Sequence, residues 1–306
     1  MAKLYKKPVK ILARWQLYLM LVLPMIYLLI FQYYPMLGLQ IAFKKFTISQ
    51  GIWGSPWVGF SQFIKFFKSY QFSRVLTNTL TVSFYRLLAG FPAPLLFALC
   101  LNVIRVRWFK KTVQTITYIP HFISVIVIVG ILMQLFNPRI GIYGSIFKIL
   151  TGENAPDLFG RPTAFKHMYV LSGIWQSLGW RSIIYLAALA GIDPQLHEAA
   201  SIDGANRFKR ARIIDFPLIL PTATILLILD AGQIMSVGFE KVFLLQNDLN
   251  LSKSEVISTY VYRVSLGTGT DFSYGTAIGF FNSIVNFGMV ILVNYISRHV
   301  SENSLW

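Results

Sequence analysis

Charged residues are scarce in this chain. Asp, Glu, Lys and Arg make up 13% of its 306 residues, whereas apolar residues make up 55%. This composition excludes an ordinary soluble domain and is typical of a membrane protein. Acidic residues are scarcer than basic ones, since the chain has 12 Asp and Glu but 28 Lys and Arg. The cations are scattered among apolar stretches rather than gathered on one polar domain, which argues against nucleic-acid binding.

Cysteine and histidine are also few. Cys100 is the only cysteine, which excludes an internal disulfide and a site built from several cysteines. The four histidines lie on separate segments, and we predict no metal site. The sequence lacks the Gly-x-x-x-x-Gly-Lys-Ser/Thr loop that cradles phosphates, so we expect that the chain does not hydrolyse ATP by itself.

Long apolar stretches predict six membrane spans. From Trp15 to Phe43 the sequence has no charged residue over 29 positions, where about 20 suffice to cross a hydrocarbon core. The six predicted spans cover residues 15–37, 75–104, 112–137, 164–192, 217–238 and 276–297. Pro92 and Pro94 should bend the second of them. We therefore predict an all-α integral membrane protein with one six-span domain over residues 15–298, between tails 1–14 and 299–306.

The distribution of Lys and Arg predicts the orientation. Segments on the side of the two termini hold 14 of these residues in about 55 positions, whereas the opposite loops hold 11 in 100 positions. Because the side denser in Lys and Arg usually faces the cytoplasm, both termini and the loop of residues 193–216 should be cytoplasmic.

The 193–216 loop is the longest polar segment on that side. Asp193 can cap a helix that begins at Pro194, and Gly204 can end it because glycine accepts a positive φ. The short side chains of Ala199 and Ala200 allow another surface to approach closely. A second short helix from Ala205 would carry four basic residues. This arrangement favours a two-helix socket for a soluble partner.

The loop resembles a motif of a known family. Glu198-Ala199-Ala200, Gly204, Ile214 and Pro217 have the spacing found in permease subunits of binding-protein-dependent type I ABC importers, although Phe216 replaces the usual Leu. The resemblance implies that the loop receives motion driven by ATP in a separate subunit. The residues implied in this coupling are Glu198, Ala199, Ala200, Asp203, Gly204, Ala205, Arg207, Ile214 and Pro217.

Nearly the whole chain resembles the carbohydrate-uptake branch of that family. The segments 238–245, 259–263 and 271–275, with Trp306, are similar to the subgroup that imports oligosaccharides and polysaccharide fragments. This implies a multi-pass protein of a bacterial plasma membrane that forms half of a sugar pathway. The implied partners are a second permease, two cytoplasmic ATPase subunits that bind ATP and Mg²⁺, and an extracytoplasmic solute-binding protein. The resemblance implies no cofactor in this chain itself.

Two other functions remain open at this point. A permease of the same architecture could move a solute other than a sugar, and Asp230 would suit a cationic group. A membrane-embedded enzyme acting on lipid-linked sugar is the other alternative, but it should show clustered acidic residues at a membrane face. The sequence has no such cluster, and Trp and neutral amides within the spans suit a glycan better.

Polar residues within the predicted spans are candidates for contact with the solute, since such residues are costly in lipid. These candidates are Trp175, Gln176, Trp180, Asp230, Gln233, Asn282 and Asn286. For the charged residues, the alternative is an ion pair between helices, formed by Asp230 with Arg86 or Arg181. For the amides, the alternative is hydrogen bonding that holds helices together.

Overall fold

A computed structural model describes residues 15–267 and 270–300, without the side chains of residues 297, 299 and 300. Throughout these ranges the regular elements are helices, and one bridge between Lys44 and Trp57 is the single extended pairing. The prediction of an all-α protein is therefore confirmed. The predicted tail 1–14, most of the tail 299–306 and the Trp306 position lie outside the described residues.

The helices follow one another with short connections. They are α1 Trp15–Leu28, α2 Tyr34–Met36, α3 Gly51–Gly54, α4 Ser61–Lys68, α5 Tyr70–Gly90, α6 Pro92–Val103, α7 Arg107–Tyr118, α8 Val125–Leu135, α9 Ile142–Thr151, α10 Pro162–Ala190, α11 Pro194–Ile202, α12 Arg207–Arg210, α13 Phe216–Ala231, α14 Phe239–Leu245, α15 Leu251–Ser254, α16 Ile257–Ser265 and α17 Phe272–Val300. Two π turns, Leu29–Tyr33 and Ala211–Asp215, and two 3₁₀ turns, Leu37–Phe43 and Ile119–Phe122, continue the helical path.

Four helical stretches are long and apolar enough to cross a membrane. They are Trp15–Phe43, Tyr70–Val103, Arg207–Ala231 and Phe272–Ile296. The pair Arg107–Phe122 and Val125–Leu135 would make a fifth, although its two halves meet at a bend of 105°. The described part of the chain thus has four or five apolar spans, and the multi-pass prediction is confirmed.

The predicted third span, residues 112–137, is not one continuous helix in the structure. Pro120 lacks the N–H that would continue the helical ladder, and the chain becomes extended at Ile123. Ser124 then starts α8 by accepting a hydrogen bond from the backbone N–H of Val127 at 3.4 Å. The segment is therefore a broken span or a re-entrant loop.

Three other predicted boundaries also shift. The second stretch begins at Tyr70 rather than residue 75, because Ser69 caps α5 by accepting from the N–H of Phe72 at 3.2 Å. Its prolines mark the boundary between α5 and α6 within one continuous stretch. The helix of the predicted fifth span ends at Ala231, and residues 232–238 are not helical. The sixth begins at Phe272 rather than residue 276.

The predicted fourth span corresponds to α10, which has 29 residues and is about 43 Å long at 1.5 Å per residue. It is not among the apolar stretches because polar residues are spaced along its length. It packs against α5, α6, α7 and α13, so it lies inside the helix bundle. At Gly179 the contact with α7 is close, since a Cβ there would lie 2.4 Å from the carbonyl oxygen of Thr117.

Buried apolar side chains connect α6, α10 and α13 beneath the 193–216 loop. This cluster consists of Leu95, Ala98, Tyr185, Leu189, Ile219 and Ala223. Because lipid tails are as apolar as these side chains, close packing rather than removal from water holds the helices together. The N-terminal stretch differs, since every residue from Trp15 to Leu37 is exposed. Its surface is available to lipid and to other chains.

Candidate functional site

The first half of the 193–216 loop folds as predicted. Asp193 Oδ1 accepts a hydrogen bond from the N–H of Gln195 at 2.9 Å and so caps α11. The helix ends in a Schellman turn, in which the N–H of Ala205 donates to Ala200 O at 2.9 Å. Gly204 has a φ of 76° in this turn, a conformation that favours glycine. The predicted role of Gly204 as a helix terminator is confirmed.

The second half begins later than predicted. The helix starts at Arg207 rather than Ala205, because Asn206 Oδ1 accepts from the N–H of Lys209 at 2.8 Å and caps it. From Arg207 the path runs through α12 and the π turn into α13 without a break. The basic second half of the loop and α13 thus form one continuous helical stretch, Arg207–Ala231.

The outer surface of the loop is a mixture of charged and apolar side chains. Glu198, Asp203 and Arg207 are exposed. So are two large apolar side chains, Ile202 and Phe208, with exposed fractions of 87% and 77%. Exposed apolar groups beside charges are typical of a surface that contacts another protein.

A cleft of about 430 Å³ lies between the loop and the ends of α6 and α10. Its charged lining residues are Arg105, Glu198, Arg207, Arg210 and Asp215. The cleft places two predicted coupling residues, Glu198 and Arg207, together with charged groups outside the predicted set. Of the other predicted coupling residues, Ala205 is buried, whereas Ile214 and Pro217 lie on the path into α13.

The second group of predicted residues surrounds residues 232–238. In this segment the predicted fifth span is no longer helical. Arg86 donates to Gln233 O at 3.2 Å and to Ser236 O at 3.3 Å. Asn286 accepts from the N–H of Met235 at 2.9 Å and donates to Ser236 Oγ at 2.9 Å. These side chains supply the hydrogen bonds that the lost helix would have made, as the interior of a membrane requires.

Two further residues that sequence reasoning missed hold the same segment. Tyr169 Oη accepts from the N–H of Gly238 at 3.1 Å, and Ser258 Oγ donates to Val237 O at 3.3 Å. A tyrosine or serine within an apolar stretch gives little signal in a sequence. The 232–238 segment is thus held by side chains of α5, α10, α16 and α17.

The structure resolves the ion-pair alternative for Asp230. Arg181 Nη2 pairs with Asp230 Oδ2, while Arg86 binds the backbone carbonyls of the 232–238 segment. Of the two predicted partners, Asp230 therefore pairs with Arg181. About a third of each paired side chain is exposed, so the pair lies at the surface of this single chain.

Four of the neutral candidates divide into two sets. Gln176 donates to Ile123 O at 3.3 Å, and Trp180 stacks on His121 with ring centroids 4.4 Å apart. Both thus hold the break of the bent pair against α10. By contrast, Gln233 is exposed, and Asn282 Oδ1 is buried without a hydrogen bond from any described residue. Gln233 is therefore at the surface, whereas the Asn282 oxygen is enclosed within the chain.

Trp175 lies elsewhere on α10. It is 47% exposed and borders an apolar cavity of about 390 Å³ together with Phe136 and Leu171. The structure therefore does not gather all the predicted solute contacts in one place. Gln233, Asn286 and Arg86 lie at the 232–238 segment, whereas Trp175 and Trp180 lie on other contacts of α10.

Comparisons with known proteins agree with this architecture. Protein LplB of Bacillus subtilis is 41% identical over 96% of this chain and 91% of its own length. The polygalacturonan/rhamnogalacturonan transport system permease protein YteP of Bacillus subtilis is 40% identical over 97% of this chain and 92% of its own length. A chain in the crystal structure of a bacterial alginate ABC transporter, in complex with an alginate pentasaccharide-bound periplasmic protein, has a TM-score of 0.87. It is 38% identical, and the match covers 95% of this chain and 96% of that one.

The family assignment rests on the length of the match as well as its level. Residues 90–302 match the model of the binding-protein-dependent transport system inner membrane component. This matched range includes the 193–216 loop and the 232–238 segment. In this family the membrane subunit is a permease, and a separate subunit hydrolyses ATP. The enzyme alternative is thereby set aside. The chain belongs to the family of binding-protein-dependent transport system inner membrane components.

Proposed function

We propose that this chain is the permease subunit of an ATP-driven importer of uronic-acid oligosaccharides and forms half of its translocation pathway. The observation that carries the proposal is similarity over more than nine-tenths of the chain to a polygalacturonan/rhamnogalacturonan permease and to a subunit of an alginate transporter. Those polymers share uronic-acid units with a carboxylate. The exposed side chains of Trp175, Trp180 and Gln233 support a glycan rather than another solute.

The proposed topology has six spans with both termini in the cytoplasm. Four apolar stretches and the bent pair supply five of them. We assign the sixth to α10, whose length of 29 residues suffices and which packs against four other helices of the bundle. The excess of Lys and Arg on the side of the termini supports this orientation.

The 193–216 loop is proposed to receive the motion of an ATPase subunit. Ile202 and Phe208 are exposed beside Glu198, and an ATPase bound there would cover them. A pair of permeases would engage a pair of ATPases, which would bind the ATP and Mg²⁺. This chain would hold no cofactor.

The solute is proposed to pass along the 232–238 segment. Non-helical backbone within a membrane is tolerated where it is buried in protein or lines a cavity, and such breaks mark binding sites in other transporters. The exposed amide of Gln233 can bind sugar hydroxyls there. An extracytoplasmic binding protein would deliver the oligosaccharide to the opposite end of the bundle from the loop.

Purification of the tagged full chain from its native membrane tests the assembly. The expected result is co-purification of a second permease and an ATPase subunit. In proteoliposomes, the complex should take up oligogalacturonate or oligoalginate only with ATP and the binding protein, and should not take up maltooligosaccharides of equal length. Absence of an ATPase would refute the transport assignment. Equal uptake of the neutral oligosaccharides would refute the proposed substrate class.

A variant of the loop tests the coupling role. Gly204→Pro cannot keep the φ of 76° and should abolish uptake without preventing membrane insertion. Gly152→Pro is the matched control, because Gly152 has a φ of 73° at the end of α9, on a predicted outer loop. Uptake should persist in the control. Unchanged uptake in Gly204→Pro would show that the loop does not couple the subunits.

A further inference from the structure

A carboxylate is buried at the point where the 193–216 loop enters the membrane. Asp215 is 3% exposed and ends the π turn that joins α12 to α13. Burying a carboxylate is costly unless other groups compensate its charge. The groups that contact Asp215 therefore indicate how its charge is compensated and what the buried carboxylate does.

Asp215 connects two other elements. Asn102, near the end of α6, donates from Nδ2 to Asp215 Oδ2 at 3.1 Å. His197, in the middle of α11, has its Nε2 3.1 Å from Asp215 Oδ1, although this contact is not aligned as a hydrogen bond. Arg210 of α12 donates to His197 O at 3.1 Å and holds the same turn of α11. One carboxylate thus joins α6, α11 and the start of α13.

This junction matters because apolar packing does not fix α11. Every side chain of α11 is at least partly exposed. Its position relative to the bundle thus depends on its two chain connections and on polar contacts. Of these contacts, those of His197 reach both Asp215 and Arg210.

We propose that Asp215 is a positioning residue that fixes α11 to α6 and α13, so that displacement of α11 by a bound ATPase moves the spans as one body. This inference rests on the proposed coupling role of the loop. It adds three residues, Asn102, His197 and Asp215, that are not among the matched positions of the Glu-Ala-Ala motif. The sequence gives only the position of Asp215 two residues before Pro217 and cannot show what it contacts.

Two spin labels can measure the junction. Cys100 is exposed on α6, two residues before Asn102, and Gln195 is exposed in the first turn of α11. The full chain with Gln195→Cys is labelled at both positions in the assembled transporter, with cysteines of the other subunits replaced. Pulsed electron paramagnetic resonance then gives the distribution of distances between α6 and α11.

A residue exchange makes the test specific. Asp215→Asn and Asn102→Asp should each broaden the distribution at least twofold, since each removes the pairing of one amide with one carboxylate. The double variant places the carboxylate on α6 and the amide at position 215, so it should restore most of the wild-type width. His197→Ala should also broaden it and serves if a buried variant fails to assemble.

Three results would overturn the proposal. One is a wild-type width in both single variants, another is a double variant as broad as the singles, and the third is a wild-type width in His197→Ala. The ratio of ATP hydrolysis with and without loaded binding protein should follow the same pattern, with about a tenfold loss in each single variant for one broken hydrogen bond to a charged group. If the wild-type complex assembles but does not transport, the proposed function is refuted. The distances between the labels test the junction separately.

Discussion

Lys241 should destabilise the folded protein, and replacing it with methionine should raise its stability. The side chain is 8% exposed at the start of α14, outside the apolar spans. Among the described residues, none makes a hydrogen bond with its Nζ, which lies 5.6 Å from the ring centroid of Tyr169. Burial lowers the pKa of Lys241 to about 8, from 10.5. The folded state thus disfavours the charged form.

The lowered pKa of Lys241 determines both the size of the destabilisation and its dependence on pH. A shift of about 2.5 pKa units corresponds to about 3 kcal/mol at 1.36 kcal/mol per unit. Because the pKa is lower in the folded state, the unfolded chain binds more protons between about pH 8 and 10.5. Stability should therefore rise with pH across that window, and the full cost should persist below pH 8.

Methionine keeps the length of the side chain and removes the charge. The loss of the contact with Tyr169 costs about 1 kcal/mol, which leaves a net gain of about 2 kcal/mol at pH 7. The assay is the thermal unfolding midpoint in detergent at pH 7 and pH 10, with exposed Lys253→Met as the control. Lys241→Met should raise the midpoint at pH 7 and raise it less at pH 10. A lower midpoint at pH 7, or equal shifts in the two lysine variants, would refute the reasoning.

Three further predictions concern other parts of the molecule. Gly204→Ala should cost about 1 kcal/mol for its positive φ, although a Cβ there meets nothing within 4 Å, and should speed amide hydrogen exchange in residues 199–205, while Gly204→Asn should have a smaller effect. Asp230→Ala should lower the unfolding midpoint more than the double variant with Arg181→Met, since the single change leaves an unpaired guanidinium, and equal shifts would argue against the pair. Glu255→Gln should cost about 3 kcal/mol or more, because that carboxylate is 1% exposed and pairs with two arginines, and an unchanged midpoint would contradict this.

The 193–216 loop was predictable because its signals are local. A cap at Asp193, a proline at the first helical position and a glycine at the turn act on neighbouring backbone groups. The structure confirms the cap and the turn and moves the second helix by two residues. The cause of that shift, the cap by Asn206, is also a local signal.

The helix breaks were harder to predict. Pro120 and Pro92 look alike in sequence, yet one stretch bends by 105° whereas the other remains continuous. What differs is the support from other helices, since Gln176 and Trp180 hold the bent pair from α10. The end of α13 at Ala231 likewise depends on side chains of other helices that bind residues 232–238.

Pairings between distant residues could not be chosen from the sequence. By sequence alone, Arg86 and Arg181 are equally suitable partners for Asp230. The packing of the helices places Arg181 beside it. The same limit hid Asn102, which lies 113 positions from Asp215 along the chain. Charge and composition predicted that such groups need partners, but only the packing of α6, α10 and α13 determines which ones they find.

ATP-driven uptake by the reconstituted complex tests the central claim most directly. Glu198→Lys reverses a charge on the exposed face of α11, and Glu153→Lys makes the same change on an exposed residue after α9. Both variants should assemble and insert. If the 193–216 loop transmits the motion of the ATPase, Glu198→Lys should lose uptake of the oligosaccharide while Glu153→Lys keeps it. Normal uptake by the assembled Glu198→Lys complex would contradict the account.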